Sequence, residues 1–274
     1  MVLESLVNPE KAEKNPVSMI IYGFIFASIS IILSLLIFRE EASMVSVFIT
    51  VIISVPLMYS LMKYEEGKDK EISDERSLLK QHWKAIKFLT FLFFGFIIAY
   101  SLWFIFLPAE TTQVLFNTQL NTIQSINSKI SGNLLINSGI LMKIFMNNIK
   151  VMLFCLFFSL FFGAGAIFIL TWNASVIGTA MGSFTLDRLG IFGSHFVAFP
   201  LSIVRYMTHG VFEIVAYFMA GLAGGIISVA IINNDLGGEY KKRILKDSLD
   251  LILLAVIFLV IGAIVEVFIT PLLF

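Results

Sequence analysis

The chain has 274 residues, of which 58% are hydrophobic and only 14% charged, and its basic and acidic side chains cancel to a formal net charge of zero. So little charge cannot cover a soluble domain of this length, and no basic excess is present to neutralise a nucleic-acid backbone. A bilayer replaces water as the solvent for such a chain, and its ionisable residues at membrane depth are where function is to be sought.

Clear spans read at 17–38, 43–62, 86–107, 149–171, 211–232 and 250–271. Each is close to the roughly 20 residues that cross a hydrocarbon core of about 30 Å. The alternation of barrel strands is missing, so the expected class is all-α: a polytopic transmembrane helical bundle of six clear spans plus one broken or re-entrant crossing. In chain order, the first span runs into Phe38-Arg39-Glu40-Glu41 and no small-residue cleavage site, which makes it a retained anchor. Residues 1–66 form an N-terminal two-span hairpin and 67–274 a membrane core. The segment 63–87 interleaves Lys63, Lys68, Lys70, Arg76, Lys80, Lys84 and Lys87 with acidic residues, and reads as a solvated charged segment.

The segment 108–148 holds Phe116, Leu120, Ile123, Ile126 and Ile130 at helical spacing between polar residues, until Ser131-Gly132-Asn133 breaks it. It is expected to be an amphipathic helix on the outer membrane surface, or a docking site for an external partner. Cys155, alone in a span, supports no disulfide framework. The stretch 172–210 contains Gly178, Gly182, Asp187, Arg188, Gly190, Gly193 and Pro200, and reads as a broken crossing, with a re-entrant pair of half-helices as the alternative. Lys241, Lys242, Arg243 and Lys246 fall in 233–248. With 63–87, they place both segments and the N-terminus in the cytoplasm, and 108–148 outside.

The residues richest in chemistry are Arg205, His209 and Glu213. His209 and Glu213 are four apart and share a helix face, with Arg205 one turn earlier. An ionised carboxylate at membrane depth needs a partner, so Arg205, His209 or the turn at Thr171–Ala174, including Asn173, is expected beside Glu213. An internal polar clasp and an ion or proton pathway both fit. Two ligands without a third give no zinc site, and His-x-x-x-Glu is not a metalloprotease motif. Glu266 lies about one turn before Pro271 and reads equally as interfacial or buried. Gly221 and Gly225 make a GxxxG step, and Gly178 and Gly182 a second pair, where another helix can approach closely. Nucleophile elbow, phosphate loop and dinucleotide fingerprint are all missing, so no catalytic residue, metal or cofactor is assigned and no enzyme is expected.

Four stretches together resemble the stage II sporulation protein M family of integral membrane proteins. They are Phe145-Met146-Asn147-Asn148-Ile149-Lys150; Thr171-Trp172-Asn173-Ala174 with Gly178 and Gly182; Thr208-His209-Gly210-Val211-Phe212-Glu213 followed by Ala220-Gly221-Leu222-Ala223-Gly224; and Ala263-Ile264-Val265-Glu266-Val267-Phe268-Ile269-Thr270-Pro271. The resemblance covers about 75–274, with Ala174 where Gly is usual and Thr208 where Pro is usual. It implies a membrane scaffold or assembly protein of the cell envelope, whose bacterial relatives act with cell-wall-degrading partners. The competing expectation is an ion or small-solute transporter, or the membrane subunit of a larger one, using the His209 and Glu213 site. The partners expected are the lipid bilayer and other membrane or envelope proteins. Nucleic acid is excluded, and homo-oligomerisation is left open.

Overall fold

A computed structural model describes residues 15–71, 75–131, 137–162, 165–238 and 240–273. Among them, apart from short turns, every element is a helix and no strand occurs: α1 Ser18–Ile37, α2 Ala42–Glu71, α3 Glu75–Phe106, α4 Ala109–Leu115, α5 Asn117–Ser131, α6 Asn137–Phe162, α7 Ala166–Phe192, α8 His195–Ile232 and α9 Lys241–Ile264. A π turn over Val265–Ile269 then leads into the short α10, Thr270–Leu273. Pro271 supplies no N–H to the Val267 carbonyl, which is a reason for the last turns to widen there. Seven of these helices are long and apolar enough to cross a membrane: α1, α2, α3, α6, α7, α8, and α9 with its continuation. Helix closes every backbone hydrogen bond within its own segment, as lipid demands.

The most apolar stretch of α8 is 89% buried, against 22% for α6 and 28% for α1 and α9, so α8 is the axis and the others surround it. It packs on α6, α7 and α9, with α2 and α3 also in contact. Small residues make this possible. A Cβ at Gly224 would stand 2.6 Å from the Leu156 carbonyl of α6, one at Gly221 would stand 2.9 Å from Ala166 Cβ of α7, and Gly225 is buried beside them. Gly178 and Gly182 set α7 against α3, where they face Tyr100 and Phe104, and Ser101 Oγ donates to the Gly178 carbonyl at 3.0 Å. At the periphery, α1 crosses α3 where Gly23 meets the Leu92 carbonyl and Gly95 meets the Ile20 carbonyl.

Four sequence expectations change. The stretch 172–210 is neither broken nor re-entrant: it comprises the rest of α7 and the first half of α8, joined by a tight turn. Gly193 closes α7 at φ 65°, its N–H bonded to the Leu189 carbonyl at 2.8 Å, and Ser194 caps α8 by accepting from Phe196 N–H. The span read at 149–171 instead straddles the end of α6 and the start of α7. Its apolar run hides a chain reversal, beside which Gly165 lies against the Phe158 carbonyl.

Where described, the segment 108–148 is not one helix laid on the surface: it divides into α4, α5 and the start of α6, and carries both exposed and buried residues. Phe116 is buried between Tyr100 and Phe104, and Gln119 is buried with its amide bonded to Ser43 and Ser175, while the polar residues 137–148 begin α6. The predicted break at Ser131-Gly132-Asn133 falls partly outside the described residues. The segment 63–87 is helical where described, and Glu65, Glu66, Lys68 and His82 are buried, so it is not simply a solvated loop.

Candidate functional site

Glu213 lies halfway along α8 and faces α6 and α9. Asn148, three turns into α6, donates its amide N–H to Glu213 Oε1. Asn148 Oδ1 in turn accepts from Tyr217 Oη at 2.9 Å, and Tyr217 stands one turn beyond Glu213 on α8. On the other side the carboxyl of Glu266, from the π turn, comes within hydrogen-bonding reach of Glu213. Gly262 of α9 leaves the space for this: a Cβ there would stand 3.3 Å from Glu213 Cγ. His209 Nδ1 is 3.3 Å from Thr270 Oγ1, and that hydroxyl also bonds the Val265 carbonyl across the π turn at 3.2 Å. The face of α8 bearing His209 and Glu213 therefore grips α6 through an amide and the C-terminal end of α9 through a hydroxyl and a second carboxyl.

Two of the residues expected at Glu213 are elsewhere. Asn173 donates its side-chain amide to the Ile169 carbonyl of its own helix at 2.7 Å. Arg205 turns to α7, its Cζ 5.1 Å from the centre of the Phe184 ring. The carboxyl is served instead by Asn148 of α6, whose oxygen accepts from Tyr217; the spacing on α8 puts Tyr217 on the Glu213 face but could not identify Asn148 as the partner. Asn148 was visible in the stretch that carries the family resemblance, but nothing in one sequence pairs it with residue 213.

A second polar cluster lay outside the sequence reading. Near the end of α2, Glu65 Oε2 lies 2.6 Å from His82 Nδ1 of α3, and Asp247 Oδ2 of α9 lies 2.6 Å from His82 Nε2. The side chains of His82 and Glu65 are 0% exposed and that of Asp247 5%, so the three helices meet in a closed clasp. Lys68 pairs with the other oxygen of Glu65. One helix turn holds both Glu65 and Lys68, and next to them Glu66 accepts from Asn233 at the end of α8 at 3.4 Å. An imidazole between two carboxylate oxygens satisfies both when each ring nitrogen carries a proton. Among the described residues no group of histidines, cysteines and carboxylates is arranged to hold a metal ion.

The clasp also fixes relative sidedness. Residues 65–68, 82, 233 and 247 meet at one end of the bundle, whereas Phe106 stacks on His195 and Gln119 meets Ser43 at the other.

Seven helices among the described residues that are long and apolar enough to cross a membrane, tied to one another by polar side chains, define a multi-pass membrane protein. A family profile described as stage II sporulation protein M matches residues 84–271, and the chain belongs to that family. It is similar to an uncharacterised protein of the archaeon Methanocaldococcus jannaschii, 30% identical over 158 residues, which cover 56% of this chain and 83% of the relative. No solved structure matches it.

Proposed function

We propose that this chain is a non-catalytic scaffold or assembly protein of the cell envelope, with its N-terminus and the residues near Lys242 in the cytoplasm. The observation that carries this reading is the Glu213 site. Its carboxyl is bonded by Asn148, its neighbour Tyr217 closes the far side of that amide, and the whole sits on the most buried helix of the bundle. Polar groups so tied fix the register of α6, α8 and α9, which is what a rigid platform for other membrane or envelope proteins, or for a second copy, requires. The basic residues of 241–246 support the orientation.

Proteoliposomes containing the full chain are the test. No proton or cation leak above that of empty vesicles is expected, with or without Glu213→Gln. A leak that the wild type shows and Glu213→Gln abolishes overturns the scaffold reading in favour of transport. Orientation is tested separately by an impermeant thiol reagent on intact cells, which should label Glu110→Cys and spare Lys242→Cys. The reverse pattern inverts the topology.

A further inference from the structure

Where α7 ends and α8 begins, the two helices diverge around an open groove of about 710 Å³. Phe184, Arg188 and Phe192 of α7 form one wall, Leu201 and Val204 belong to the α8 floor, and Leu273 of α10 stands at the side. The volume falls within the roughly 300–1,000 Å³ of small-ligand sites. The α8 lining runs from Phe196 to Val204. Eight residues of helix rise about 12 Å, close to the depth of one leaflet of a core about 30 Å thick.

Charge complements this shape. Arg188 is the one charged side chain among the lining residues, and it is exposed. Its Cζ lies 5.4 Å from the Phe184 ring centre, and that of Arg205 lies 5.1 Å from the same centre. Asp187, beside Arg188 in sequence, is exposed and is not among the lining residues. The groove therefore presents one exposed guanidinium among otherwise apolar side chains, over about the depth of a leaflet.

We infer that this groove binds an anionic phospholipid, with its phosphate on Arg188 and an acyl chain along the α8 floor between Phe196 and Val204. A guanidinium is suited to a phosphate because it offers paired donors in one plane. A zwitterionic lipid brings the same chains, but its headgroup carries a cation that offsets the attraction. The site is independent of the scaffold reading, since a transporter could carry it equally well.

The test is melting of the full chain in a neutral detergent with added dioleoylphosphatidylglycerol or dioleoylphosphatidylcholine. A ligand that binds the folded state raises the melting temperature in proportion to its occupancy. The expected result is a stabilisation several degrees larger with phosphatidylglycerol, an excess lost in Arg188→Gln while melting in phosphatidylcholine stays unchanged. Val204→Trp, which fills the floor and keeps the charge, is expected to weaken stabilisation by both lipids. Equal stabilisation by the two lipids overturns the inference. An excess that survives Arg188→Gln also overturns it, and assigns the preference to the basic start of α9 at Lys241 and Lys242. Should Arg188→Gln not fold, Val204→Trp decides, because full retention of the excess there excludes the groove.

Discussion

The Glu213 cluster and the His82 clasp each join three helices by polar side chains, but they are built on opposite electrostatic plans. At His82 two carboxylates flank one imidazole, Lys68 supplies a cation, and the side chains of His82 and Glu65 are fully buried. At Glu213 the charge-bearing groups are alike, two carboxyls, and the partners on α6 and α8 are a neutral amide and a phenol. Glu213 and Glu266 are half-buried, whereas His82 and Glu65 are sealed. A sealed set of unlike charges fails badly when one member is removed, since the rest are left without compensation. A half-open set with neutral donors tolerates replacement by another hydrogen-bonding group of the same shape.

That contrast can be broken by mutation. The largest effect is expected from His82→Ala, which removes the group shared by Glu65 and Asp247. A loss of about 3–5 kcal/mol is the usual result of breaking a buried charge set, and it is read as a lower melting temperature in detergent. Glu213→Leu comes next, because it removes the acceptor of the Asn148 amide and leaves a buried donor unpaired, at about 1–3 kcal/mol in the same assay. Gly262→Ala is expected to cost about 1 kcal/mol, as its methyl must push Glu213 Cγ or Phe212 Cβ from 3.3 Å. Glu213→Gln should change stability least, by under about 1 kcal/mol, since an amide keeps the acceptor for Asn148. If Glu213→Gln melts as low as His82→Ala, the two clusters do not differ in kind and the contrast is lost.

Hydropathy disclosed the helical class and most of the crossings, because charge-free runs of about 20 residues have few other readings. It misplaced the seventh for a physical reason. Between the end of α6 at Phe162 and the start of α7 at Ala166 the sequence is small and apolar, so a hydropathy reading passes over it as membrane, while Gly178 and Gly182 look like breakers and serve as contacts for Tyr100 and Phe104. The sites show the same division. The i, i+4 spacing set His209 and Glu213 on one face, but Asn148 lies 65 residues from its carboxylate. His82 was less legible still. Charged neighbours made its segment resemble a water-exposed loop, and its partners lie 17 and 165 residues away. Burial of Gln119 was equally hidden, since its partners Ser43 and Ser175 come from two other helices.

The distance between His82 and Asp247 along the chain has a consequence for biogenesis. Asp247 is made 165 residues after His82. At about 5–20 residues per second, that interval is roughly 8–33 s of synthesis. Throughout it the clasp of α2 and α3 lacks its α9 member, and it closes when α9, the last long helix, arrives. A ribosome stalled before residue 247 would therefore hold a bundle whose basic end is still unlatched.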